Sequence, residues 1–393
     1  MYSPDQPIYL DNNATTALDP AVLQAMMAYL THAYGNASST GHAFGWEAKD
    51  AVERARRLIA AAINAASPSD IVFTSGATES VNLAMLGLQH HGKPGHVVTS
   101  AIEHKAVLDC GARLASTGTE VTYVTPQDDG IVSPEAIRQA MRSDTRLVSI
   151  MAANNEIGTL QRLEDIGAIC HARGILFHTD ATQLLGKAAF DAQRMNIGMA
   201  SFSAHKLYGP MGVGALYVNS RDPRITLSPL IVGGGQEQGL RSGTLNVAGI
   251  VGFGRAVELA MENLPTEPRR LRVLRDVLQQ HIVEHIPDAQ VNGHRTASLP
   301  GLLNVSFGGV DADSLLLALP EIALSSGSAC TSALRAPSHV LTAIGVSDAR
   351  AQGSVRFGLG RFTTEAEIRH VCLRVEEAVK TLRSMAPRQK VGA

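Results

Sequence analysis

Four residues stand out for chemistry by type and setting: a lysine, an aspartate, a histidine and a cysteine, each among small or polar neighbours. Lys206 closes Ser201-Phe202-Ser203-Ala204-His205-Lys206, which reads as a short strand, and opens onto the turn-rich Leu207-Tyr208-Gly209-Pro210-Met211-Gly212. Alone, a lysine is far more often a solvated surface residue. At a strand end, beside hydroxyl and imidazole donors and glycines that let backbone approach closely, it has the setting that a Schiff base next to a bound phosphate requires.

Upstream, Phe177-His178-Thr179-Asp180-Ala181-Thr182-Gln183 sets an acid just beyond a buried-looking strand. By itself Asp180 would serve as a helix cap. With Lys206 downstream it gains a sharper role: a pyridoxal ring stores the electrons of a carbanion when its nitrogen stays protonated, and an adjacent anion keeps it so. Gln183 is then placed to bond the ring's phenolic oxygen. The run Phe73-Thr74-Ser75-Gly76-Ala77-Thr78-Glu79-Ser80 reads as strand, small-residue turn and helix start. Its free amides suit a phosphate, although many α/β proteins cap helices with the same residue types. Glu103-His104 follows another strand at its carboxyl end, where open sheets place ligands. A lone histidine there is commonly structural; beside a cofactor ring it could stack and move protons.

Cys330 lies in Ser325-Ser326-Gly327-Ser328-Ala329-Cys330-Thr331-Ser332, a run of small residues that leaves a thiolate able to reach an electrophile. The other cysteines, Cys110, Cys170 and Cys372, read as buried small hydrophobes. The wide spacing of all four offers no metal-ligand pattern and suits a reducing cytosol, so a cytoplasmic protein is expected.

Placing these side chains requires an α/β architecture. The 393 residues, 45% hydrophobic and 18% charged, suffice for two cores. A formal net charge of -2 gives no broad field for nucleic acid or an anionic membrane. Neither a secretory signal nor a membrane-spanning run is read in the chain. Strands are expected at 71–74, 96–101, 121–125, 147–152, 175–179, 200–203 and 213–218, giving a mostly parallel seven-stranded sheet in a large domain over 16–262. Residues 1–15 and 263–393 form a smaller α+β domain, with strands at 303–307, 322–325 and 354–359 and helices at 313–319 and 365–383.

Nearly the whole chain resembles the NifS/IscS group of cysteine desulfurases, in the class V aminotransferase superfamily of fold-type I pyridoxal-phosphate enzymes. The match runs through Leu10-Asp11-Asn12-Asn13-Ala14-Thr15-Thr16, the Thr74–Glu79 turn, Asn154-Asn155-Glu156-Ile157-Gly158, Asp180–Gln183, Ser203–Gly209, Arg241-Ser242-Gly243-Thr244, the Cys330 run and Arg356–Thr364. The resemblance implies pyridoxal 5'-phosphate on Lys206, His104 stacked on its ring, Asp180 at its nitrogen, and Asn155 and Gln183 at its ring side. Ala77, Thr78, Ser203 and His205 would hold its phosphate, joined by Thr244 from the other subunit of a homodimer. Arg356 would clamp the substrate carboxylate, with Asn13 and Asn155 nearby. Lys206, His104 and Cys330 are then the catalytic set. L-cysteine yields alanine and a persulfide on Cys330, for delivery to an iron–sulfur scaffold or another acceptor protein.

No firm metal site is implied; Cys330 is the residue that could serve as a transient iron–sulfur ligand. The Cys330 loop with its long continuation to Pro337-Ser338-His339 looks like the long-loop group. Ala37 stands where the family usually has proline, and Leu334-Arg335-Ala336 replaces Ser-Leu-Glu, a change bearing on which acceptor docks. A selenocysteine lyase, another class V lyase and a non-catalytic cofactor-binding scaffold are the alternatives. The loop cysteine speaks against the first two, and the full set of reactive residues against the third.

Overall fold

Alternating side chains along seven strands create two apolar faces, and helices cover both. The computed structural model of the chain describes residues 7–88, 95–326 and 337–385. The strands lie in the order Ile71–Thr74, Gly214–Val218, Met199–Ser203, Leu176–Asp180, Thr145–Ser149, His96–Ser100, Glu120–Val124. Gly214–Val218 runs antiparallel to both neighbours and the other six share one direction. The mixed, mostly parallel sheet expected from the sequence is therefore present. Val72, Val97, Leu147, Leu176, Met199 and Leu216 face one core with Val81 and Val107. Phe73, Val98, Val148, Phe177, Ala200 and Tyr217 face the other, with Ile59 and Phe253. The period-two alternation of a strand buried on both sides accounts for this division.

A separate core gathers Ile8, Leu10, Leu278, Val305, Phe357 and Val375. It lies around an antiparallel sheet ordered Ser325–Ser326, Ser354–Gly358, Leu302–Phe307, Ala289–Asn292. The helices Glu267–His285 and Glu365–Met385 pack on each other beside it. The run expected as one strand over 322–325 is divided: Ile322–Ala323 pairs in parallel with Ile8–Tyr9, and Ser325–Ser326 pairs with Ser354–Gly358.

Three elements lie outside the sequence expectations. The helix Ala43–Ala62 packs through Ala48, Ala51, Val52, Ala55 and Ile59 opposite a charged face, an amphipathic period that the expected elements do not include. Ala289–Asn292 is short and half polar, and Ile8–Tyr9 is a strand only because distant Ile322–Ala323 pairs with it. Asp19 accepts the Ala21 N–H at 2.9 Å and Pro20 opens the helix Pro20–Thr31. Among the described residues, no helix is long and apolar enough to cross a membrane.

Candidate active site

Six codirectional strands bring their carboxyl ends to one edge of the large sheet, where a cavity of about 540 Å³ opens. Its floor is made by residues that leave those strands. Ser75, Gly76, Ala77, Thr78 and Glu79 follow Ile71–Thr74; His104 follows His96–Ser100; Met151 and Asn155 follow Thr145–Ser149; Asp180, Thr182 and Gln183 end or follow Leu176–Asp180; Ser203, His205 and Lys206 end or follow Met199–Ser203. Its roof includes Arg356 and His339, and Asn13 closes one side. Asp180 is the last residue of its strand, one position deeper than the sequence suggested.

Lys206 sits in the single turn Ala204–Lys206. Its Nζ donates to the carbonyls of Asn13 at 2.8 Å and Ala14 at 2.5 Å, so the amine is held by chain from the far N-terminal segment. Gln183 is tied to the same residue: its Nε2 donates to Asn13 O at 2.9 Å, and its Oε1 accepts from Asn13 Nδ2 at 3.0 Å and from Lys187 Nζ at 3.1 Å. Asp180 is buried and caps no α-helix; its Oδ1 accepts the Thr182 N–H at 3.0 Å.

The helix Ala77–Leu86 begins after Gly76 with no side-chain cap, leaving the amides of its first turn available. Gly214 must be glycine here, because a Cβ would meet Gly76 Cα at 2.6 Å and Phe202 O at 2.5 Å. His205 pairs through Nδ1 with Thr15 Oγ1 at 3.0 Å. Burial, aided by the charges of Lys206 and Lys187, lowers His205 to about 4, so the ring is neutral.

His104 has a dual position: it lines the cavity, and its Nδ1 accepts the Ala106 N–H at 3.1 Å as cap of the helix Lys105–Ser116. The cap fixes the ring and leaves its proton on Nε2 when the ring is neutral. The preceding residue, Glu103, is fully buried. Its Oε1 accepts from Ser100 Oγ at 2.7 Å and Met151 N at 2.9 Å, while its Oε2 has no protein partner. Burial, with a smaller push from the charge of Asp180, raises this carboxyl to about 8 against the lowering effect of its two hydrogen bonds. The sequence reading named Glu103 only as a neighbour of His104; nothing in the sequence signals its burial.

On the roof, Arg356 is 3% exposed. Its Nη2 donates to Asp11 Oδ1 at 2.8 Å and Ser325 Oγ at 2.7 Å, and its Nη1 to Asn155 O at 2.8 Å. Its buried Nε has no protein partner. Behind it, Glu156 accepts from Ser338 Oγ at 2.5 Å and is pushed by burial up to about 7, against the lowering effect of that bond and of Arg356. His339 shares a hydrogen bond between Nε2 and the Glu103 carbonyl at 3.0 Å.

Thus Asn13, Ala77, Thr78, His104, Asn155, Asp180, Gln183, Ser203, His205, Lys206 and Arg356 line one cavity. Thr244 is exposed and does not line it. Cys330 lies outside the described residues, as does the Leu334–Ala336 departure. Cys110, Cys170 and Cys372 are buried, their thiols pushed by burial up to about 11, 12 and 11. The described residues contain no cluster of metal-ligating side chains.

The donor set fits a phosphorylated pyridine aldehyde. Helix amides and Ser203 suit a phosphate, Asp180 a ring nitrogen and Lys206 an aldehyde, and the buried Thr182 Oγ1 in the wall lacks a protein partner.

Known proteins share the family and fold of this chain. The aminotransferase class-V family model matches residues 8–371. The chain is 51% identical over 385 residues to a cysteine desulfurase IscS of Stutzerimonas stutzeri, covering 97% of this chain and 95% of that one. To the cysteine desulfurase IscS of Anaeromyxobacter dehalogenans it is 50% identical over 383 residues, covering 97% and 94%. Among solved structures, a NifS-like protein superposes with a TM-score of 0.88 at 39% identity, covering 96% of this chain and all of that one. SspA in complex with cysteine superposes at 0.79 and 39% identity, covering 91% of this chain and 100% of that one. The chain belongs to the class-V aminotransferase family, within its cysteine desulfurases.

Proposed function

We infer that this chain is a pyridoxal-phosphate-dependent cysteine desulfurase that moves the sulfur of L-cysteine onto Cys330 and releases L-alanine. The observation that carries the reading is the single cavity joining Lys206, Asp180 and the Ser75–Thr78 turn on its floor to Arg356 on its roof. The bound cofactor supplies an electron sink next to the substrate Cα. Ala77, Thr78, Ser203 and His205 hold its phosphate, Asp180 meets its ring nitrogen, and His104, Asn155 and Gln183 flank its ring.

Each protein group then has a defined task. Arg356 binds the substrate carboxylate, for which its planar fork suits it, with Asn13 and Asn155 beside it. The Lys206 amine removes the Cα proton and returns it. The Cys330 thiolate attacks the substrate sulfur: an S–S bond forms, the C–S bond breaks, and the β-carbon receives the electron pair and a proton to become alanine's methyl group. Cys330 retains the sulfur as a persulfide until an iron–sulfur scaffold or another acceptor takes it.

The reading includes a homodimer in which Thr244 completes the partner's phosphate site. Exposed Leu23, Met27 and Leu30, on one face of Pro20–Thr31, support it. It keeps the division into 16–262 and 1–15 with 263–393, supported by the second core, which draws only on the latter segments, while Leu299, Leu302, Val340, Leu341, Ile344 and Ala351 pack into the first; it also keeps a cytoplasmic location, supported by the cysteine usage.

The test is to incubate the purified protein with L-cysteine and quantify alanine and sulfide, with and without a thiol reductant and candidate scaffold proteins. Mass spectrometry after one turnover, before reductant, should find one extra sulfur on the Cys330 peptide. Direct release of sulfur from L-cysteine, or of selenium from L-selenocysteine in a parallel incubation, with none on that peptide would assign the chain to the lyases.

A further inference from the structure

Arg241, in the loop that precedes Thr244, meets Glu79 in the cavity wall. Its Nε donates to Glu79 Oε1 at 2.9 Å, and the other oxygen of Glu79 accepts the Ser75 N–H at 2.8 Å. Glu79 lines the cavity at the third position of the helix Ala77–Leu86, the element whose first turn faces the phosphate in the reading above.

A carboxylate at that point has two opposed effects. It satisfies the Ser75 N–H and so fixes the turn that leads into the helix. Its negative charge also repels a phosphate dianion drawn to the same helix end. Arg241 removes the second effect without disturbing the first. The two side chains are 22% and 13% exposed, so solvent screens the pair only in part.

The same loop grips the strand entering the turn. Glu237 pairs with Arg56 at 2.7 Å and accepts the Phe73 N–H at 2.6 Å. Glu237 and Gln238 hold φ values of 49° and 58°, a left-handed conformation that non-glycine residues keep only where surrounding contacts impose it. Arg241 is thereby presented by a braced segment.

We propose that Arg241 is a positioning residue for the cofactor's phosphate: by neutralising Glu79 while its carboxylate stays on Ser75 N–H, it keeps the Ser75–Thr78 turn receptive to a dianion. The inference rests on the pyridoxal-phosphate reading.

The experiment titrates full-length protein stripped of cofactor with pyridoxal 5'-phosphate and, separately, with unphosphorylated pyridoxal, following absorbance. Arg241→Gln should weaken the phosphate ester about ten-fold, the scale of one charge-assisted bond, and leave pyridoxal binding unchanged. Arg241→Gln combined with Glu79→Gln should regain most of that loss, because the repelling charge is gone. Arg241→Lys, which keeps the charge, should stay close to wild type and guards against a folding defect. Equal weakening of both ligands, or no recovery in the double variant, overturns the assignment. Wild-type protein that binds pyridoxal as tightly as its phosphate ester removes the cofactor reading itself, and this inference with it.

Discussion

On the floor of the cavity the functional side chains end or follow five parallel strands, whereas on the roof Arg356 depends on Asp11, Asn155 and Ser325, brought from three separate parts of the chain. A strand end sets where its residue leaves the backbone, so a floor substitution should act first on cofactor handling, although Lys206 and Gln183 also bond to Asn13. A roof substitution disturbs a shared network of buried bonds, where effects of neighbouring residues do not add. Cofactor handling and substrate handling should therefore separate by region.

The largest effect should come from the thiol that both regions serve. Cys330→Ser should end alanine formation from L-cysteine while leaving the substrate-induced change in cofactor absorbance intact, since binding needs the floor and roof but not the thiolate. Alanine produced at an appreciable rate would take Cys330 out of the reaction. Lys206→Ala should cost on the order of 10²–10⁴-fold in turnover through the lost proton transfer, and should also abolish covalent cofactor attachment. Borohydride reduction and peptide mapping check the second point; label on any other lysine of wild-type protein excludes Lys206.

Asp180→Ala should slow turnover by about 10²–10³-fold, the scale of losing a preorganised charge, and weaken cofactor retention. Arg356→Lys tests the roof: KM for L-cysteine should rise about ten-fold, with cofactor affinity unchanged, because a point charge replaces a bidentate fork. Should Arg356→Lys release cofactor while Asp180→Ala retains it, the division between floor and roof is wrong.

The smallest effect concerns Glu103. Its folded pKa of about 8 lies above the ordinary 4.5, so across that window the folded chain holds a proton that the unfolded chain lacks. Its contribution to stability is thus fully present below pH 4.5 and is lost as pH rises through 8. Glu103→Gln removes this contribution, so between pH 5.5 and 8.5 wild-type Tm should fall more than the variant's, by on the order of a few degrees. Glu156, pushed up to about 7, adds a slope of the same sign to both proteins. Calorimetry showing equal falls would mean that Glu103 is already ionised at the lower pH.

The sequence by itself determined the seven strands of the main sheet, because alternating β-branched and aromatic runs bounded by turns are local signals, and it placed Lys206, Asp180, His104 and Thr78 at the carboxyl ends of those strands. It also singled out Cys330 by its small neighbours. Tertiary structure alone decided the rest. Arg356 owes its bond to Asp11, and the Lys206 amine its two carbonyls, to pairings between residues 345, 193 and 192 positions apart, and strand pairing brings Ser325 to Arg356 from 31 positions away. Neither the proton that burial keeps on Glu103 nor the placement of Arg241 against Glu79 has any local signature. Residue type and near-neighbour pattern set which chemistry the chain can offer; burial and long-range contact set the charge, partner and direction with which each group offers it.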